Sequence, residues 1–269
     1  MNILFYGNCQ MSALKKVIGL NGKYICCYNT TIIEKDFNII LKSCDIIFTQ
    51  MIKDNYHNKF FLSTSNIIKQ KNKNCKLFIC GNNYMRFYYF DSFISKSLLN
   101  PNPYHYYSII KYRSNIEFLT NNIINNIHFK NKEYLNEIAN NDIEELFKRE
   151  NVIKKKYYGK NIFYIFTSDF IKNNYKKELL FYTINHPTKS IFLYMANEIK
   201  KIIEIKINYN IDPLKSNIKQ ILYKSIEKIV KFNINNYINY DLNQYIKSYI
   251  NLYNDKNIKD CLNGEYESR

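Results

Sequence analysis

The chain reads as an α/β protein with a mostly parallel sheet and a helical C-terminal region. Two patterns predict this. Short apolar runs alternate with stretches of helical periodicity over residues 2–80, which is how βαβ units look in sequence. Three of those runs close on small or amide residues, at Gly7, Gln50 and Gly81, so their carboxyl ends can converge on one rim. Open α/β sheets place their chemistry at that rim.

Taken in order, residues 2–6 read as the first strand and 11–18 as the helix after it, joined by Gly7-Asn8-Cys9-Gln10. Residues 24–28 read as a second strand, followed by a helical stretch near 34–43. A third strand over 44–50 ends in Thr49 and Gln50, and 54–71 suits a helix. Residues 76–80 form a fourth strand, closed by Gly81-Asn82-Asn83. Pro101-Asn102-Pro103 breaks any regular element and marks a loop. The spacing of Leu135, Ile138, Ile143, Leu146 and Phe147 predicts an amphipathic helix over 133–150. Lys154-Lys155-Lys156 then opens the next segment. Apolar residues 179–183 lead into Ile184-Asn185-His186-Pro187-Thr188, where Thr188 is placed to cap a helix over 189–201. Asp212-Pro213 opens a further helix, and 213–253 is low in complexity and helical in pattern. Residues 1–205 thus read as one domain, with 206–269 a helical extension packed on it.

Composition narrows the classes. Of 269 residues, 46% are hydrophobic, which suits a globular chain rather than a disordered one. No apolar stretch is long enough to span a bilayer, and no secretory signal stands at the start, so a cytoplasmic protein is expected. Seven cysteines occur without a C-x-x-C pair or a zinc-like Cys/His spacing, which points to no metal and a reducing compartment. Cys26, Cys27, Cys44, Cys75 and Cys80 sit in or beside apolar runs and read as core thiols. His57, His105 and His128 read as surface or loop residues, and the aromatic run 87–90 as core. The formal charge of +16 is nearly all Lys, with Arg only at 86, 113, 149 and 269. Specific nucleic-acid readers cluster Arg and carry a module signature, and this chain has neither. A Lys-rich surface still attracts an anionic cofactor such as a nucleotide.

Cys9 differs from the other thiols because it occupies a turn. A thiol at the start of a helix feels the helix dipole, which lowers its pKa and favours the thiolate. Gly7 permits a tight turn and close approach of a ligand. The backbone N–H groups of Cys9 and Gln10 can then meet an oxyanion or a phosphate. His186 is the natural partner base, since the His-Pro turn fixes the direction of its ring. Gln50 suits either ligand contact or loop hydrogen bonding, and Asn82 and Asn83 suit either turn formation or amide donation to an oxyanion.

Four patterns in this order resemble the WcbI-type acetyltransferases of capsular polysaccharide biosynthesis, relatives of the SGNH/GDSL hydrolases. They are the strand before Gly7-Asn8-Cys9-Gln10, the run Asp45–Gln50 with Asp54-Asn55-Tyr56 after it, the strand ending at Gly81-Asn82-Asn83-Tyr84, and Leu180–Thr188 before a helix. The resemblance covers about residues 1–205. It implies an SGNH-like three-layer α/β/α sandwich and transfer of an acetyl group from acetyl-coenzyme A to a sugar hydroxyl. By position, Cys9 stands where the hydrolases carry a nucleophilic Ser in Gly-Asp-Ser. The hydrolases also place an Asp three residues before the His, where this chain has Thr183, so the triad lacks its third member. Two mechanisms fit these residues. Either Cys9 carries the acetyl group with His186 as base and acid, or His186 deprotonates the acceptor while Cys9 and Gln10 position the cofactor. Lys15, Arg86 and Lys189 are candidates to meet the cofactor's phosphates. An esterase on the same scaffold and a non-catalytic glycan- or nucleotide-binding module are the alternatives.

Overall fold

The fold was obtained as a computed structural model, which describes residues 1–29, 31–95, 104–215, 220–237, 241–251 and 265–266. The expected loop at Pro101-Asn102-Pro103 lies outside the described residues. In chain order the first elements are β1 (Ile3–Gly7), α1 (Cys9–Ile18), β2 (Lys23–Cys26), α2 (Glu34–Ser43), β3 (Ile46–Gln50), α3 (Thr64–Gln70) and β4 (Lys76–Cys80). There follow β5 (Ser92–Ser95), β6 (Tyr104–Tyr106), α4 (Tyr107–Tyr112), α5 (Ile116–Phe118), α6 (Lys132–Lys156), β7 (Ile162–Ile165) and α7 (Ser168–Asn174). The last are β8 (Phe181–Thr183), β9 (His186–Pro187), α8 (Lys189–Lys200), α9 (Leu242–Ile250) and β10 (Glu265–Tyr266).

These elements segregate into two compact units. The first comprises residues 1–84, 143–174 and 185–216, and the second 85–142, 175–184 and 217–269. The first unit is built on a parallel sheet in the order β2-β1-β3-β4-β7. Alternation along the strands gives each face its own core. Leu4, Tyr6, Ile47, Leu77 and Ile79 pack with Phe37 and Leu41 of α2, Leu62 before α3, Ile67 of α3, Ile153 near the end of α6 and Tyr157 just after it. On the other face, Phe5, Phe48, Phe78 and Phe163 stand in register and stack ring on ring, with centroids 4.8, 4.7 and 5.2 Å apart. Helices α1 and α8 pack on this second side of the sheet. The arrangement is the expected three-layer α/β/α sandwich.

The order 2-1-3 has a consequence for function. The chain leaves β1 to one side for β2 and returns on the other side for β3, so the sheet reverses direction at β1 and β3. The crevice outside the carboxyl ends of those two strands is the topological switch point, where open α/β sheets bind ligands. Gly7 and Gln50 end those strands.

The second unit has an antiparallel sheet in the order β10-β5-β6. Its core gathers Phe93, Tyr106, Ile109, Leu119, Ile124, Tyr223 and Ile246. Within it, the buried Asp91 accepts from the Ser108 N–H at 3.0 Å, the Ser108 hydroxyl at 2.6 Å and the Tyr223 hydroxyl at 2.5 Å. A buried carboxylate needs such donors to offset its desolvation. Of the aromatic run 87–90 that the sequence places in the core, Phe87, Tyr88 and Tyr89 are buried and Phe90 is half-buried.

Several expectations are corrected. Residues 54–71 are not one helix: two short 3₁₀ turns precede α3, His57 and Asn58 have positive φ, and Ser63 caps the helix that starts at Thr64. Lys154–Lys156 close α6 rather than open a new segment, where their charge complements the helix dipole. Pro213 begins a turn and not a helix. β7 adds a fifth strand to the four that the sequence pattern predicts. His105 is neither surface nor loop: it lies in β6 with 1% of its surface exposed. Cys27, Cys44, Cys75 and Cys80 are buried as expected, but Cys26 is half-buried. Among the described residues no helix is long and apolar enough to cross a membrane.

Burial pushes the His105 imidazole from its ordinary 6.5 down to about 4. The folded state therefore resists protonation that the unfolded chain accepts. Stability contributed by this residue is full above pH 6.5 and falls as pH drops from there towards 4, by at most about 1.4 kcal/mol per pH unit. Urea unfolding of His105→Phe at several pH values should show a shallower decline across that window than the parent chain. An equal decline in both would assign the acid sensitivity elsewhere.

Candidate functional site

The strand-to-helix joint at residues 7–10 sits at the switch point. Gly7 is required there for want of space: a Cβ at this position would lie 2.5 Å from Met11 Cγ and 2.6 Å from Gln50 Oε1. Asn8 caps α1, its Oδ1 accepting from the Gln10 N–H at 2.9 Å, while its own N–H donates to Gln50 Oε1 at 2.9 Å. Cys9 is then the first helical residue, half-buried at the rim.

Gln10 is the keystone of the joint. It is 2% exposed and uses its whole amide. Its Nε2 donates to the Asn83 carbonyl at 2.8 Å and the Asn185 carbonyl at 3.0 Å. Its Oε1 accepts from the Asn83 N–H at 3.1 Å and Gln50 Nε2 at 3.4 Å. One side chain thus ties the start of α1 to the loop after β4, to the end of β3 and to the residue before His186. Residues 9 and 186, remote in sequence, each adjoin an end of that single hydrogen bond. His186 is half-buried, and α8 begins three residues after it.

The network continues behind Asn83. Its Oδ1 accepts from the Thr167 hydroxyl, and its Nδ2 meets Met195 Sδ at 3.7 Å. Glu150 Oε1 in turn accepts from the N–H groups of Thr167 and Ser168 at 2.9 and 3.0 Å, and the Ser168 hydroxyl donates to its Oε2. Glu150 lies on the buried stripe of α6 with Leu146 and Ile153.

Electrostatics set the resting protonation. Burial pushes the Cys9 thiol above its ordinary value, and the pull of the Cys9 and Gln10 N–H groups does not reverse it. The expected depression by the helix start is therefore corrected: desolvation outweighs the dipole. Burial also pushes the His186 imidazole below its ordinary value. The resting pair is a neutral thiol and a neutral imidazole.

The remaining sequence candidates separate clearly. Gln10, Gln50 and Asn83 are at the rim, but their polar atoms are committed to the protein, so they build the site rather than offer free amides. The Gln10 N–H likewise serves the Asn8 cap. Asn82 is half-buried beside them, its Nδ2 donating to the Met51 carbonyl at 3.4 Å. Thr188 is the N-cap of α8 in extended conformation, yet its side chain makes no capping bond. Lys189 lies half-buried in the first turn of α8, next to that cap. Lys15 occupies the last turn of α1, about 9 Å of helix rise from Cys9, where a cation complements the helix C-terminus. Arg86 belongs to the second unit, where it pairs with the buried Asp142 at 3.4 Å and the same carboxylate caps the Arg86 and Phe87 N–H groups. A cavity of about 690 Å³ opens at the amino edge of the sheet, lined by Met1, Gly19, Asp45, Lys76, Glu204 and Lys206, away from these groups.

The sequence matches the family described as polysaccharide biosynthesis enzyme WcbI over residues 2–207. The chain belongs to the WcbI family of polysaccharide biosynthesis enzymes. That span includes the whole of the joint, the Asn83 loop and His186. A solved structure of WcbI, reported as a novel polysaccharide biosynthesis enzyme and as the native protein without a disulfide between coenzyme A and one of its cysteines, superposes with a TM-score of 0.74 at 18% identity. The match covers 97% of this chain and 93% of that one. A search of curated proteins found no match.

Sequence reasoning missed Glu150, Thr167 and the Asn185 carbonyl. Glu150 had a readable signal, a carboxylate falling on the apolar stripe of α6. The other two act through a short hydroxyl and a backbone oxygen, which composition does not reveal.

Replacing Gln10 by Ala strips partners from Asn83 N–H, Asn83 C=O and Asn185 C=O together. Loss of about 2–4 kcal/mol is expected from the groups left unsatisfied. Thermal unfolding should register it, with hydrogen exchange at Asn83 rising more than at Phe5 in the same sheet. Parent-like stability and exchange would show that the joint holds without this amide.

Proposed function

We propose that this chain transfers an acetyl group from acetyl-coenzyme A to a hydroxyl of a glycan or sugar precursor in polysaccharide biosynthesis. The observation that carries the reading is the bond from Gln10 to Asn185, which adjoins Cys9 on one side and His186 on the other at the switch point. Family membership supplies the polysaccharide context, and coenzyme A is named for the similar solved structure.

The residues present suit such a donor. Cys9 gives a half-buried, uncharged thiol at the rim, fit to lie against a thioester sulfur, and Lys189 stands in the first turn of α8 to meet phosphate charge. Neither α1 nor α8 has an acidic residue in its first turn to repel it. The bound donor would supply an activated acyl group. His186, kept neutral by burial, accepts the proton of the acceptor hydroxyl. Cys9 resists ionisation, so the reading favoured here leaves its sulfur as a positioning group rather than an acyl carrier. With the Gln10 N–H taken by Asn8, the Cys9 N–H is the donor assigned to the developing oxyanion.

His186→Asn should lower kcat by about 10²–10⁴-fold while leaving coenzyme A affinity in calorimetry unchanged. Cys9→Ala should weaken that affinity and leave most of kcat. The kcat of the parent chain should rise with pH through an imidazole titration placed below the ordinary value, then stay flat at neutrality. No heat of coenzyme A binding to the parent chain, or full turnover by His186→Asn, would overturn the assignment. Abolished kcat in Cys9→Ala with retained binding would move the acetyl group onto the sulfur instead.

A further inference from the structure

The end of β2 places a second thiol beside the first. Side chains alternate along a strand, and paired residues of parallel neighbours share a face. Ile25 packs on the same core as Tyr6, its register partner, and Cys27 is buried in that core as well. Cys26 between them therefore points to the opposite face, the side on which α1 begins. Its register partner is Gly7, two residues before Cys9. The Cys27 N–H donates to the Gly7 carbonyl at 3.0 Å, which extends the pairing past the strand end and fixes the two chains there. Cys9 and Cys26 are both half-buried, whereas Cys27, Cys44, Cys75 and Cys80 are sealed. Negative charge on Cys26 is also felt at Cys9, disfavouring its ionisation.

We propose that Cys9 and Cys26 are a dithiol pair, in which Cys26 resolves a mixed disulfide formed between Cys9 and a small aliphatic thiol. The inference rests on the rim-facing role given to Cys9 above, and coenzyme A is the thiol that reading supplies. The chemistry balances with a small disulfide, RS–SR, as oxidant. The minor fraction of Cys9 that has lost its proton attacks one sulfur of RS–SR, forming Cys9–S–S–R and releasing RS⁻. The Cys26 thiolate then attacks the Cys9 sulfur, forming the Cys9–Cys26 disulfide and releasing the second RS⁻. The two protons of the protein thiols end on the two released thiols, and the protein loses the two electrons that RS–SR gains. Such an exchange would clear the site of a covalently trapped ligand and leave Cys9 blocked until it is reduced.

The test uses the reduced full chain, incubated either with coenzyme A disulfide or with diamide, and then mapped by mass spectrometry of unreduced peptides. Both oxidants should give a Cys9–Cys26 cross-linked peptide, and the parent chain should retain no coenzyme A adduct. Cys26→Ser should instead keep coenzyme A on Cys9 until dithiothreitol is added. Absence of the cross-link with both oxidants, or a cross-link from Cys9 to Cys27 in its place, overturns the pair. A diamide cross-link together with no adduct in Cys26→Ser supports the pair and overturns only coenzyme A as its thiol. Because the parent chain alone reports the cross-link, the result does not depend on the variant folding.

Discussion

The structure around the rim depends on one buried amide. Gln10 pairs with the backbone of Asn83 through both its oxygen and its nitrogen, as a strand residue would, and spends its second donor hydrogen on Asn185. Two loops and the end of β3, from different parts of the chain, are thereby fixed to the first turn of α1. A buried amide with an open valence is costly, so this geometry persists only if all the loops are in place together. That cooperativity gives the site its precision.

The same logic explains the glutamate behind it. Glu150 takes two backbone N–H groups at the start of α7 and the Ser168 hydroxyl, which offset only part of the desolvation that holds its carboxyl above the ordinary value. Thr167, held in this way, points its hydroxyl at Asn83. A line of hydrogen bonds therefore runs from the core-facing stripe of α6 to the residue before His186. Asp142, on the same stripe, does comparable work in the second unit by accepting from Arg86 and Phe87. In both units a long amphipathic helix carries a carboxylate to backbone donors that no strand or helix has satisfied.

Much of the first unit was legible in the sequence. The four strands read from apolar runs are where the pattern placed them, because parallel strands buried on both faces have little choice of composition. Residues 34–43 and 76–80 fall on their elements to the residue. Gly7, Cys9 and His186 were visible because a turn between apolar runs is conspicuous. The roles of Gln10, Gln50 and Asn83 were less so, since an amide that contacts a ligand and one that clamps a loop have the same letter. Residues 54–71 misled because helical periodicity was read through Asn55 and His57, where the backbone turns left-handed at His57 and Asn58. His105 was placed outside because isolation in sequence says nothing about burial.

Register finally connects the core to the rim. The rings of Phe5, Phe48, Phe78 and Phe163 lie at one level of four neighbouring strands, and a stacked ladder of this kind tolerates no slip. A shift of one residue in β3 would turn Phe48 to the other face and leave a gap between Phe5 and Phe78. Two residues beyond the ladder, at a common height, come Gly7 and Gln50, whose carboxamide oxygen fills the space that a side chain at position 7 would need. The same slip would withdraw that oxygen from the Asn8 N–H and with it the orientation of the cap that starts α1. The position of Cys9 at the rim is thus set by aromatic packing in the middle of the sheet, two strand residues below the joint.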